Sequence, residues 1–461
     1  LDGGETVRDL RDMRGVAYLM GRKESPADAR GPWDGCVELP SFECVREDRV
    51  AFARMTRDFH EETNPLNARR LAQAHGDRTA VINPPALALS TDELDRIHEL
   101  PYTRLPHPRY AGEGDSIPAW QTIRDSVQIM RGCFGGCTFC SITMHQGRAI
   151  QSRSQGSVLR EIRRLAESPG FKGHVSDLGG PTANMYQMRC SRPEVEAVCR
   201  RPSCVHPKIC KLLDTSHAPI VELMREGRKV PGVKKVHIAS GIRMDLAAEE
   251  DEYLEELAAH HVGGHLKVAP EHASDAVLSV MKKPGTASFE RFAERFEQAS
   301  KRAGKEQYLV PYFIASHPGS GVDEMIELAV FLKQHGYRPR QVQDFIPAPM
   351  DVATCIYHTG LDPYSMKPVQ TVKKLRDREV QRALLQFFAP ENDHVVRRAL
   401  EAAGRRDLIG EGEQCLIRSR PPRGAARPTE RPRDTSGGAA QVGYRRTSRE
   451  GGRRRRGRAD R

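Results

Sequence analysis

"RGCFGGCTFCSI", residues 131–142, places Cys133, Cys137 and Cys140 within eight residues, with three residues and then two between them. A disulfide takes two thiols, and a closed zinc site takes four ligands, usually one close pair and a second pair further on. Three thiolates on one loop suit a cubic iron–sulfur cluster instead, with three irons held and the fourth left open to chelate a small molecule. Gly132, Gly135 and Gly136 let such a loop wrap closely, because they add no side-chain bulk.

The loop follows an apolar run at 127–130, the first of six short runs; the others are 174–178, 235–242, 265–268, 308–314 and 341–346. Segments of helical period separate them at 158–166, 220–228, 252–261, 289–303 and 324–335, and in the fourth Phe289, Phe292 and Phe296 share a face. Alternating strand and helix predicts an α/β fold with parallel strands, a partial (β/α)6 barrel of the TIM type. Its chemistry belongs on the loops after the strands. Those loops read "RGCFGGCTFC", "GGPTANMY", "SGIRMD", "APEHAS", "SHPGSGVD" and "PAPMDVAT", and Glu271, His272 and His317 stand out among them.

The barrel is expected at 121–359, after an N-terminal extension and connecting segment at 1–120. A C-terminal extension at 360–417 carries the helical stretch "VKKLRDREVQRALLQFF". In the N-terminal part, "SFECVREDRVAFARMTRDFHEE" is helical, with Val50, Phe52, Met55 and Phe59 as its expected apolar face. Residues 418–461 are of low complexity, too poor in apolar residues to order themselves. They hold fifteen Arg against four acidic residues, which accounts for the whole net charge of +11 and leaves the body neutral.

The wording "QIMRGCFGGCTFCSITMHQGRAIQSRS", with "SDLGGPTANMY", "HHVGGHLKVAPEH", "MKKPG" and "AGKEQYLVPYFIASHPG", resembles the YgiQ family of radical S-adenosylmethionine (SAM) proteins over roughly residues 1–417. The first residue is Leu, and the family's longer N-terminal domain is expected to be truncated here. The resemblance implies that Cys133, Cys137 and Cys140 ligate a [4Fe–4S] cluster whose open iron binds SAM. It places Phe139 near the adenine, Gly179 and Gly180 at the SAM amino group, and Ser240 and Arg243 near the ribose and carboxylate. Pro181 stands where many relatives have a Glu that receives the amine, so that contact must come from elsewhere. A reductant such as flavodoxin or ferredoxin is implied as a partner; the substrate is not.

A second group, Cys190, Cys199, Cys204 and Cys210, lies within 21 residues. It suits an auxiliary iron–sulfur cluster, a structural zinc ion, or a set of free loop thiols, with His206 and His217 close in sequence. Cys36, Cys44, Cys355 and Cys415 are isolated and read as structural.

Eleven cysteines grouped in this way fit a reducing compartment, so a cytoplasmic protein is expected. No run of about 18 apolar residues predicts a membrane span. A competing reading is a nucleic-acid-binding protein with structural Cys sites and a working Arg tail. The neutral body weighs against it, while non-specific polyanion binding by the tail is compatible with either reading.

Overall fold

The computed structural model describes residues 6–24, 35–110, 117–423 and 425, so most of the Arg-rich segment lies outside the described residues. Chain order opens with strands β1 (Ala17–Met20), β2 (Val37–Leu39), β3 (Leu71–His75) and β4 (Arg78–Ile82). They form one sheet in the order β1–β4–β3–β2, with β2 parallel to β3 and the other pairs antiparallel. His75 faces Arg78 across the two-residue turn Gly76–Asp77, where Gly76 has φ +58°.

The helical stretch divides into Phe42–Glu47 and Arg49–Glu61, because Asp48 caps the second helix by accepting from Val50 N at 2.7 Å. The expected apolar face is corrected. Ala51, Ala53 and Thr56 are the buried positions, Phe52, Met55 and Phe59 are half-buried, and Val50 is exposed. Small residues let this helix lie close to its neighbours.

Strand–helix alternation from 126 onward follows the sequence pattern. The strands are β5 (Ser126–Gln128), β6 (Met130–Arg131), β7 (Gln151–Ser152), β8 (His174–Val175) and β9 (Asp177–Gly179). They continue as β10 (Lys235–Val236), β11 (His265–Glu271), β12 (Tyr308–Ala315) and β13 (Gln343–Asp344). Helices Gln155–Ala166, Ala218–Lys229, Asp251–Glu256, Thr286–Arg302 and Val322–Gln334 lie between them, and Phe289, Phe292 and Phe296 are all buried. Strand Val127, Leu178 and Leu266 pack against helix residues Ile162, Leu223 and Phe292 in one apolar core. Each such buried side chain contributes on the order of 1.5–3 kcal/mol.

All the core pairings of this unit are parallel: β5 with β9, β8 with β10, and β11 with β12 and then β13. The fold is therefore α/β, but a closed barrel is not present among the described residues. The ladders stop for local reasons. Ser176 breaks the second strand and gives its N–H to Asp125 O. β11 carries a bulge between Val268 and Glu271 that contains Pro270, which has no N–H to give. Ile238 N bonds not to β11 but to His261 O, in the π turn Leu257–His261 that ends the preceding helix.

The C-terminal segment joins the same core through Leu384, Leu385, Leu400 and Ile417. Its helix Leu375–Leu385 inserts the buried Gln381, which accepts from Ser316 N at 2.6 Å and donates to Ser320 O at 2.6 Å. The extension thereby grips the loop after β12. No helix among the described residues is long and apolar enough to cross a membrane.

Candidate metal centre

The three-cysteine loop begins where β6 ends, held by the short antiparallel pairing of Met130–Arg131 with Gln151–Ser152. Gly132 sits at φ +84°, and a Cβ there would lie 2.1 Å from Ala149 O, so only glycine fits the turn. Cys133 N then donates to Gly147 O at 3.1 Å, and Thr138 N to Met281 O at 3.1 Å. The loop is thus anchored at its first cysteine and again between its second and third.

Gly135 marks the centre of the site. A Cβ built on it would lie 3.2 Å from Cys133 Sγ, 3.3 Å from Arg243 Nη1 and 4.0 Å from Cys137 Sγ. Two thiols and a guanidinium thus converge on a cradle that a side chain would fill. Gly135 N itself points 3.4 Å to Cys133 Sγ, and Thr182 Oγ1 lies 3.8 Å from that sulfur. Burial, and then the neighbouring Cys137, raises the Cys133 thiol, while burial pushes Cys140 up to about 12. Unaided, these two stay protonated; a bound metal ion would deprotonate them.

This donor set fits an iron–sulfur cluster. Three soft thiols on one loop, two of them converging on the cradle at Gly135, match the three irons that such a cluster needs held.

Arg243 is 6% exposed. Its Nε donates to Asp245 Oδ1 at 2.6 Å and its Nη2 to Asp245 Oδ2 at 3.2 Å, leaving Nη1 at 3.8 Å from Cys137 Sγ. Burial opposes the charge, but Asp245 and Cys137 outweigh it and hold the guanidinium charged. Its backbone is fixed by Asn184, whose Oδ1 accepts from Arg243 N at 2.7 Å and whose Nδ2 donates to Arg243 O at 3.0 Å.

Gly179 and Gly180 border the same region, and both are glycines by crowding. A Cβ on Gly179 would lie 2.2 Å from Asp177 Oδ2 and 2.4 Å from Ser240 Oγ; one on Gly180 would lie 2.6 Å from Met130 Sδ. Ser240 Oγ donates to Asp177 Oδ2, and Asp177 Oδ1 accepts from Ala239 N and Ser240 N at 2.7 and 3.0 Å. That carboxylate binds the start of β9 to the loop after β10.

Phe139 meets His317 edge-on at 5.6 Å and packs on the apolar group of Leu278, Met281 and Phe345. His317 Nδ1 lies 2.7 Å from Pro318 O and so carries the proton, which leaves Nε2 buried without a partner among the described residues. Burial lowers His317 to about 4 and His272 to about 3, and raises the Glu271 carboxyl. Glu271 also has φ +70°, a strained conformation that concentrates at functional sites.

Sequence reasoning passed over Asp177, Asn184 and Asp245, and also Lys282, whose ammonium sits 3.9 Å over the Tyr364 ring. Lys282, Asp351 and Tyr364 line a small cavity with Cys137 and Cys140. The "MKKPG" wording holds that lysine. A cleft of about 1060 Å³ opens instead beside His265 and Tyr308 at the N-terminal ends of β11 and β12. That is the wrong end of the strands for the chemistry.

Three family models match the chain: Radical SAM N-terminal at residues 1–126, Radical SAM superfamily at 127–332, and a domain of unknown function (DUF3362) at 340–461. A UPF0313 protein of Rhodopseudomonas palustris is 47% identical over 449 residues, covering 93% of this chain and 66% of that relative. The UPF0313 protein YgiQ of Escherichia coli is 51% identical over 393 residues, covering 84% of this chain and 53% of YgiQ. The chain thus spans about half to two thirds of the length of these relatives. A solved structure of the radical SAM methyltransferase TsrM from Kitasatospora setae, with cobalamin and a [4Fe–4S] cluster bound, gives a TM-score of 0.33 at 12% identity, over 60% of this chain and 61% of TsrM.

Proposed function

The chain belongs to the radical SAM superfamily, in the UPF0313 family that includes YgiQ, and from that premise we propose that it is an enzyme cleaving SAM reductively. The cofactors are a [4Fe–4S] cluster and SAM. The observation that supports this reading most strongly is the cradle at Gly135, where Cys133 and Cys137 converge with Arg243. When bound, the cluster supplies the electron that splits SAM into methionine and a 5′-deoxyadenosyl radical, which abstracts hydrogen from a substrate.

The chain's own residues have distinct tasks in this reading. Cys133, Cys137 and Cys140 hold three irons. Arg243 puts a fixed positive charge at the Cys137 sulfur and keeps the loop after β10 against the cluster loop. Phe139 and His317 wall off the apolar side, and the unpartnered His317 Nε2 offers an acceptor there. Ser240 already donates its hydroxyl proton to Asp177, so its oxygen lone pairs are what it has left for SAM. Gly180 leaves room beside Met130 for a close approach of the ligand.

A small reducing protein such as flavodoxin or ferredoxin is the proposed electron donor, in a reducing compartment such as the cytoplasm. The Arg-rich segment is proposed to bind polyanions through phosphate contacts, with affinity that falls steeply with salt and ignores sequence. A chain ending at Ser419, which keeps the core residues Leu416 and Ile417, should lose most RNA affinity and keep SAM cleavage. The enzyme reading itself is tested by electron paramagnetic resonance (EPR) of the reconstituted, reduced protein. SAM should perturb the cluster signal, and an unchanged signal would contradict an open iron.

A further inference from the structure

We propose that Cys190, Cys199, Cys204 and Cys210 hold a second iron–sulfur cluster, set against the backbone of the loop that carries the first. The reading does not depend on SAM cleavage.

The segment from 190 to 213 leaves the β9 end of the fold and returns to itself. Cys190 pairs with Leu213 in an isolated antiparallel bridge. Leu213 N donates to Cys210 O at 3.0 Å, and Cys210 N donates to Cys204 O at 2.8 Å. Three of the four cysteines therefore sit at successive points where one loop closes. The fourth, Cys199, has its carbonyl held by Asn64 Nδ2 at 2.9 Å and Asn67 Nδ2 at 3.3 Å.

Around Cys199 the loop is tied to the N-terminal segment: Asn64 Nδ2 donates to Glu196 O at 3.0 Å, and Arg200 Nη1 donates to Glu62 Oε1 at 2.8 Å. Its helical part is the four-residue Pro193–Glu196, and Val198 is 72% exposed. All four thiols are free and only half-buried, unlike Cys355, which is 1% exposed and packs as an apolar residue. Half-buried thiols grouped on one loop leave their sulfurs accessible to a metal centre, whose binding then adds to folding.

The loop is also seated on the first site. Cys204 N donates to Phe134 O at 3.1 Å, and Ser203 Oγ to Gly135 O at 2.7 Å. Gly136, at φ +66°, brings its backbone so close that a Cβ would lie 2.4 Å from Pro202 O.

The test is an iron, sulfide and zinc count on the full chain after anaerobic reconstitution, with folding followed by circular dichroism. The C133A/C137A/C140A variant should retain about four iron and four sulfide per chain. Its reduced EPR signal should ignore SAM. The C199S/C204S/C210S variant should lose that set and keep the set that responds to SAM. If this second variant fails to fold, the wild-type count decides with the first: about eight iron against about four supports the second cluster. A folded C133A/C137A/C140A variant without iron, or with about one zinc in its place, would overturn the proposal.

Discussion

Arg243 Nη1 lies 3.8 Å from Cys137 Sγ, although 106 residues separate the two in sequence. The contact exists because Asp245 takes the other two nitrogens of the same guanidinium and turns the third toward the sulfur. A donor held at a cluster thiolate stabilises the more negative, reduced state and raises the potential.

Replacing Arg243 with Ala leaves Asp245, whose side chain is 9% exposed, as an unpaired buried charge. The expected cost is about 3–5 kcal/mol in denaturant unfolding. The R243Q/D245N pair should recover most of that stability. Its cluster should nevertheless have a midpoint potential more negative by about 60 mV, one tenfold step for a one-electron couple. An unchanged potential in the stable double variant would show that Arg243 only braces the loop.

Gly135 and Gly136 should respond differently to alanine. G135A puts a methyl among two sulfurs and a guanidinium, so the apo fold should survive while iron incorporation falls. G136A meets a backbone carbonyl at 2.4 Å from a left-handed conformation, so it should destabilise the apo protein by more than about 1 kcal/mol. Melting curves and iron counts on both variants separate the two effects.

The Asp177 carboxylate should matter more to folding than Ser240. D177A removes the acceptor of two backbone N–H groups and one hydroxyl, an expected loss on the order of 3 kcal/mol. S240A keeps both backbone bonds and should cost about 1 kcal/mol. Urea titrations of the two variants check the ratio.

Acid should weaken the fold through His272 and His317. Burial depresses both below the unfolded value of about 6.5, to about 3 and about 4. Their neutral forms therefore contribute fully above pH 6.5. As pH falls below that value the unfolded chain takes up protons first, and stability declines by about 1.4 kcal/mol per pH unit for each histidine. The decline stops as each folded value is reached. Stability measured from pH 7 to 4 should fall less steeply in H272Q and in H317Q, by about 1.4 kcal/mol per pH unit each, while His60, His98 and His261, also lowered to about 4 by burial, keep the rest of the slope.

Much of this architecture was legible in the sequence, for identifiable reasons. The six strands are short apolar runs with a helical period between them, and "RGCFGGC" falls directly after the first. Which strands would pair was not legible: apolar runs report burial, whereas Pro270 and the break at Ser176 decide which backbone groups can pair. The N-terminal sheet was missed because its strands are three to five residues long and part polar; the "HGDR" turn at 75–78 was the available signal. Val50 was misplaced because the buried face of its helix uses alanines, which hydrophobic pattern reading undervalues. The Arg243–Asp245–Cys137 arrangement depends on tertiary approach, and no local pattern encodes it.

The most direct measurement of the central claim is 5′-deoxyadenosine formed from SAM by the anaerobically reconstituted, reduced chain. The account predicts its formation by the wild type and none by variants in which Cys133, Cys137 or Cys140 is replaced with Ala. Undiminished formation by the C133A/C137A/C140A variant would contradict the assignment of these three cysteines to the cluster that cleaves SAM.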